Sequence, residues 1–173
     1  MKFMIANDNR VLLKGLKNES TGEFVNDATV TMTLYKVAAR DGQMVAGSDT
    51  LSSLSEEFLA SDVGKAIVVI GAGDQRSDLR STLVSVDSIN SVTLADSATV
   101  AVEEAEVWLS VPDAVDLSLT YIEDSDGDYE GTLDNALLLE RGACYVAEIN
   151  ADDGAGSTGQ WHVEETAIIR GKT

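Results

Sequence analysis

The sequence predicts an all-β protein: a small β-sandwich, discontinuous along the chain, that carries an inserted β module. Three observations predict it. Apolar residues recur with period two in segment after segment. Clusters of Gly, Asn, Asp and Ser separate those segments, and helical periodicity is scarce. A chain of 173 residues suits one ordinary domain or two small ones, with enough length for a real core.

Residues 10–16 read as a first strand, and NESTGE (18–23) as the turn after it. In ATVTMTLYK (28–36), Val30, Met32 and Leu34 take one face and Thr29, Thr31 and Thr33 the other, as a half-buried strand requires. Residues 53–63 carry a short amphipathic helical signal, Leu54, Phe58 and Leu59 together, with Gly64 as its stop. From there the texture changes. Residues 67–70 form an apolar strand before GAGD, and STLVSVDSINSVTL (81–94) reads as strand, turn and strand centred on Asn90. Val100, Val102, Val107 and Leu109 continue that pattern. Val115, Leu117, Leu119 and Tyr121 then alternate with polar residues as far as DSDGD (124–128), and residues 129–133 return as the hairpin partner. Residues 137–141 read as one helical turn; residues 144–149 and, beyond the loop ADDGAGSTG, 160–169 read as the last strands. With the middle removed, the flanks form one continuous set of strands. The expected domains are therefore 1–47 plus 110–173 for the sandwich and 48–109 for the insert, placed in an exposed loop whose ends lie close together.

Thirty acidic residues against twelve basic ones give a net charge of −18. Affinity for phosphate comes from Lys and Arg, so nucleic acid and acidic membrane surfaces are disfavoured as partners. The charge is uneven: six basic and five acidic residues in 1–47, three and eleven in 48–110, three and fourteen in 111–173. An acidic surface keeps a protein soluble at high local concentration. The less acidic N-terminal segment, with Lys2, Phe3, Met4 and Ile5, is the candidate arm for docking on a neighbour. The best apolar run, 66–72, falls far short of the roughly 20 residues that cross a bilayer. The opening residues turn polar too soon after Ala6 for a signal peptide. Cys144 is the one cysteine, so no internal disulfide forms and nothing here depends on an oxidising compartment.

Chemistry-bearing patterns are few. Asp124, Asp126 and Asp128 alternate like the first donors of a calcium loop, and they are the metal candidates of this chain. Glycine lies at the fourth position rather than the sixth, and Asn135 stands at the twelfth, where a bidentate Glu belongs; a polar hairpin turn fits better. GAGSTG (154–159) is followed by Gln160 and Trp161 where a phosphate loop needs Lys and Ser or Thr, and it precedes a strand. GAGDQR (71–76) lacks the third glycine of a dinucleotide fingerprint. His162 is the one histidine, and no sequence feature ties it to Cys144, so neither a nucleophile–base pair nor a zinc set is expected. Adjacent acids such as Glu56-Glu57, Glu103-Glu104 and Glu164-Glu165 arise readily in so acidic a chain. No cofactor and no enzymatic site are expected. Trp108 and Trp161 would interest us as sugar-stacking platforms if exposed; in VWLSV and in an alternating strand they read as core or interface residues.

One stretch carries a resemblance. Residues 57–100 combine Phe58, the turn Asp62-Val63-Gly64-Lys65, an apolar strand ending in Gly71-Ala72-Gly73, and two strands closing on VTLA (92–95). This text resembles a module that recurs in tailspikes, tail fibres and other virion proteins of tailed phages. In that module Phe58 would plug the core, Gly64 would end a helical turn, and Gly71 and Gly73 would bend the chain out of a buried strand. The flanks, through residues 11–34, 119–133 and CYVAEI (144–149), are similar to a phage-associated immunoglobulin-like domain. The two resemblances together imply an immunoglobulin-like β-sandwich interrupted by the inserted module. They imply a non-enzymatic accessory virion protein, made in the host cytoplasm: a head decoration protein or a head–tail neck component. Its partners would be capsid, neck or tail proteins, and it would act as a homo-oligomer. A tail appendage or carbohydrate-binding module touching the host surface is the alternative. Phe3, Met4, Ile5, Trp108 and Trp161 are the interface candidates.

Overall fold

The protein is seen here as a computed structural model that describes residues 3–5, 7–18, 20–137, 139–154 and 158–168, with the backbone alone for 3, 4 and 161–168. Its strands are β1 (Phe3–Met4), β2 (Asn9–Leu13), β3 (Thr29–Met44), β4 (Thr50–Ser52), β5 (Ala66–Val69) and β6 (Leu79–Ser88). They continue with β7 (Ser91–Leu94), β8 (Val102–Ser110), β9 (Leu117–Tyr121), β10 (Tyr129–Leu133), β11 (Cys144–Asp152) and β12 (Thr158–Ile168). Helix among the described residues is confined to two short 3-10 turns, Ala60–Asp62 and Asp74–Arg76. The fold is all-β. No helix among the described residues is long and apolar enough to cross a membrane.

The chain divides into two compact units, one of Met1–Leu34 with Val111–Thr173 and one of Tyr35–Ser110. The first junction therefore falls at Tyr35, ahead of the expected boundary at Ser48. The reason lies in β3, a single strand of 16 residues that continues well past Lys36, where the period-two pattern fades. Register shifts at Val37/Ala39, Ala39/Gly42 and Gly42/Met44 scramble the alternation beyond that point.

The first unit is an array in the order β1-β12-β11-β3-β9-β10-β2. The β11–β12 and β9–β10 hairpins are antiparallel, while β1 joins β12 in parallel. Val30, Met32 and Leu34 of β3 meet Tyr145, Ala147 and Ile149 of β11 and Val11, Leu119, Tyr129 and Leu133 of the β2-β10-β9 group in one core. Alternate residues pointing inward from two groups of strands is the arrangement of a β-sandwich. Burying each of these large side chains contributes about 1.5–3 kcal/mol.

The second unit closes on itself. β3 pairs with β8, β8 with β5, β5 with β6, β6 with β7, β7 with β4, and β4 returns to β3 through Gln43 and Ser52. Every one of these pairings is antiparallel, so the insert is a six-stranded barrel that leaves no open sheet edge. All six strands supply its core, among them Ala39, Leu51, Ile67, Leu83, Val92 and Val107. Gly42 sits where the barrel wall bends. A Cβ there would lie 2.5 Å from Val107 Cγ2 and 3.0 Å from the Ala105 carbonyl, which is why a glycine occupies the irregular part of β3.

The amphipathic helix expected over residues 53–63 does not form. Apart from the turn Ala60–Asp62 the segment is irregular, and Leu54 is 86% exposed instead of facing a core. Of the three apolar residues behind that expectation, Phe58 alone is buried in the barrel. Among the described residues of the expected helical turn over 137–141 no helix is seen, and Leu137 and Leu139 both enter the core of the first unit.

Candidate functional site

The aspartates of the β9–β10 hairpin do not gather around a common point. Asp124 takes a left-handed backbone (φ 60°) in the turn, and Asp124 and Asp126 are exposed. Asp128 Oδ1 instead accepts a hydrogen bond from the Gly15 amide at 2.9 Å. Tyr121 donates to the Ser125 carbonyl, Gly127 N donates to Asn26 Oδ1, and the Leu16 amide donates to the Gly127 carbonyl. Gly127 is pressed so closely to Leu16 that a Cβ would lie 2.5 Å from its carbonyl oxygen. These contacts make DSDGD a fastened turn. Among the described residues no three His, Cys, Asp or Glu side chains are placed to hold a metal ion.

Trp108 is buried at 6% exposure, so it is not the exposed platform that sugar stacking needs. Its ring centroid lies 6.0 Å from that of Tyr35, and its indole N–H donates to Glu106, whose carboxylate also pairs with Arg40. Trp161 is the register partner of Ile149, and His162 that of Glu148. The side chains of Trp161 and His162 lie outside the described residues. The backbone of Phe3 and Met4 pairs with Ala167 and Ile168 of the same chain, and Ile5 packs partly buried against the core of the first unit. The segment expected to dock on a neighbour is thus engaged within its own chain, where it extends the sheet beyond β12. Lys2 and the side chains of Phe3 and Met4 lie outside the described residues.

Two open surface grooves of the first unit are lined mainly by polar side chains. One runs along Thr29, Thr31, Asn150, Asp152, Thr158 and Gln160; another lies over Asp8, Arg10, Ser118, Thr120, Glu130 and Thr132. In the second, Arg10 and Glu130 form a salt bridge at the surface.

Two carboxylates organise the outer bends of the barrel: Asp41, overlooked in the sequence, and Asp62 of the DVGK turn. Asp41 on β3 accepts hydrogen bonds from the hydroxyls of Ser53 and Ser55 and from the amides of Leu54 (3.1 Å) and Ser55 (3.0 Å). Chiefly the Ser53 and then the Ser55 hydroxyl hold its carboxyl below the ordinary value of 3.8. Asp62 accepts from the Leu59 amide at 2.8 Å and from Lys65 Nζ at 2.7 Å. Gly64, between them, has φ 89°. The DVGK turn therefore has a physical explanation: Asp62 caps the preceding bend, Lys65 neutralises it, and Gly64 supplies the left-handed step. Spacing in DVGK was a legible signal for the Asp62–Lys65 pair. Nothing in the sequence linked Asp41 to serines on another segment.

In the first unit, Tyr129 is 1% exposed, donates to the Val25 carbonyl and accepts from the Ala28 amide at 2.9 Å. Burial raises its phenol above the ordinary value of 10.0, with the nearby Asp27 charge adding to the effect. Compared with known proteins, the chain matches no family model, no curated protein and no solved structure.

Proposed function

We propose that the chain is a non-enzymatic accessory structural protein of a tailed-phage virion, made in the host cytoplasm. It would serve as a head decoration or head–tail neck component and act through protein–protein contacts as a homo-oligomer. The observation that carries this reading is the use made of the phage-like residues 57–100. Phe58 fills the barrel core, Gly64 and Gly71 (φ 77°) take left-handed turns, and Gly73 lets the Ser77 carbonyl approach its own amide to 2.7 Å. Phe58, Gly64, Gly71 and Gly73 all serve shape, as the parts of a scaffold do. The open grooves and the acidic surface support the same reading, since a net charge of −18 keeps such a protein off packaged DNA.

Immunogold electron microscopy on particles of the phage that encodes the chain tests the proposal. Label on heads or at the head–tail junction is expected. Particles without label would overturn it, and label restricted to tail tips would replace it with the appendage reading.

A further inference from the structure

Eight large apolar side chains of the described chain are exposed, and five of them gather on two adjoining segments of the barrel: Leu54 (86%), Leu59 (57%), Val63 (48%), Val84 (52%) and Ile89 (55%). Scattered exposed apolar residues need no explanation, but a contiguous group does. The contiguity is set by the backbone. Ser53 N donates to the Asn90 carbonyl, Phe58 N to the Ile89 carbonyl at 2.8 Å, and Gly64 N to the Leu83 carbonyl at 2.8 Å. The Asn90 side chain adds a bond to the Glu56 carbonyl. Residues 53–64 therefore run alongside 83–90, and the five exposed apolar residues all belong to these two paired segments.

The display is rigid. Asp41 fastens the bend that carries Leu54, and Asp62 fastens the bend that carries Leu59 and Val63. Fixing apolar groups in water before a partner arrives lowers the entropy lost on binding. The rim is acidic. Within residues 53–65 and 83–90 the surface acids are Glu56, Glu57 and Asp87, while Asp62 is buried and paired with the one basic residue, Lys65. The whole unit carries five basic against twelve acidic side chains, net −7. A second copy seated symmetrically on this face would set like charges against each other.

We propose that Leu54, Leu59, Val63, Val84 and Ile89 are the apolar centre of a docking surface whose occupant is a protein surface with an apolar centre rimmed by Lys and Arg. The proposal stands on the geometry of the barrel and does not depend on the virion reading.

The test is an NMR titration of the ¹⁵N-labelled full chain with three synthetic helical peptides of equal length. One is amphipathic with Leu on one face and Lys on the other, one has Glu in place of Lys, and one has Ser in place of Leu. The Leu/Lys peptide is expected to shift amides of 53–64 and 83–90 saturably. Leu54→Ser with Ile89→Ser should weaken it about ten-fold or more while the amides of the core residues Ile67 and Val107 stay in place. Val45→Ser, exposed on the same unit but outside the seam, should leave the affinity unchanged. Equal effects of both Lys peptides across the acidic surface would overturn the proposal, as would equal binding of the Leu/Glu peptide or no response to any of the three. Concentration-dependent shifts at the seam without peptide would overturn the assigned occupant in favour of a second copy.

Discussion

Asp41 shows how one carboxylate decides the conformation of a distant segment. Its hydrogen bonds from Ser53, Leu54 and Ser55 offer the backbone of 53–55 a tertiary alternative to a helix, and a helical pattern in the side chains loses to it. Because these bonds favour the ionised form, the folded group titrates below 3.8. The stability it lends is present above pH 3.8 and is lost as pH falls through the lower, folded value. A carboxyl-detected NMR titration should place Asp41 below 3.8, and Ser53→Ala with Ser55→Ala should bring it back toward that value. Asp41→Asn should speed hydrogen exchange at Leu54 and Ser55. Tyr129 works in the opposite sense. Burial favours its neutral form, so its contribution is complete below pH 10.0 and lost as pH rises toward the raised folded value. Tyr129→Phe strands the Ala28 amide and the Val25 carbonyl, and urea unfolding should show a loss of about 1–3 kcal/mol.

Among the elements, hairpins were the most legible. Strand β10, Tyr129–Leu133, is where its alternation placed it, because DSDGD supplies unmistakable turn chemistry and both flanks keep period two. The course of β3 was not legible past Lys36. Three register shifts break its alternation, and they are the bends a six-stranded wall needs to close. The ring itself was hidden for a related reason: β4 is three residues long and meets β3 through the Gln43–Ser52 pair. Nothing local in the sequence announces such a closure. Gly42→Val should therefore cost about 1–3 kcal/mol by forcing a side chain against Val107 and the Ala105 carbonyl. Phe58→Ala should cost about 3–5 kcal/mol by emptying the barrel core. Chemical denaturation followed by tryptophan fluorescence in a Trp161→Phe background, which leaves Trp108 as the reporter, reads both, and a Gly42→Val variant as stable as the parent would contradict the close packing at that bend.

At the scale of the whole molecule, a continuous chain builds two all-β units, with β3 contributing to each. Composition told of an acidic protein and the period-two patterning of a strand-rich one, while the second unit begins at Tyr35, ahead of the insert expected from Ser48. The charged side chains of the DVGK turn proved to be its internal fasteners. The seam of exposed apolar residues stayed hidden because Leu54 and Leu59 read as the buried face of a helix. We propose that this scaffold binds a virus particle. The most direct test of that proposal is quantitative co-sedimentation of the labelled recombinant chain with separately purified heads, tails and host cells of the phage that would carry it. Saturable binding to heads is expected, with copies on the order of hundreds per particle for decoration of a repeated lattice or about a dozen for a cyclic neck. Binding to cells and not to heads, or no saturable binding to any particle, would contradict it.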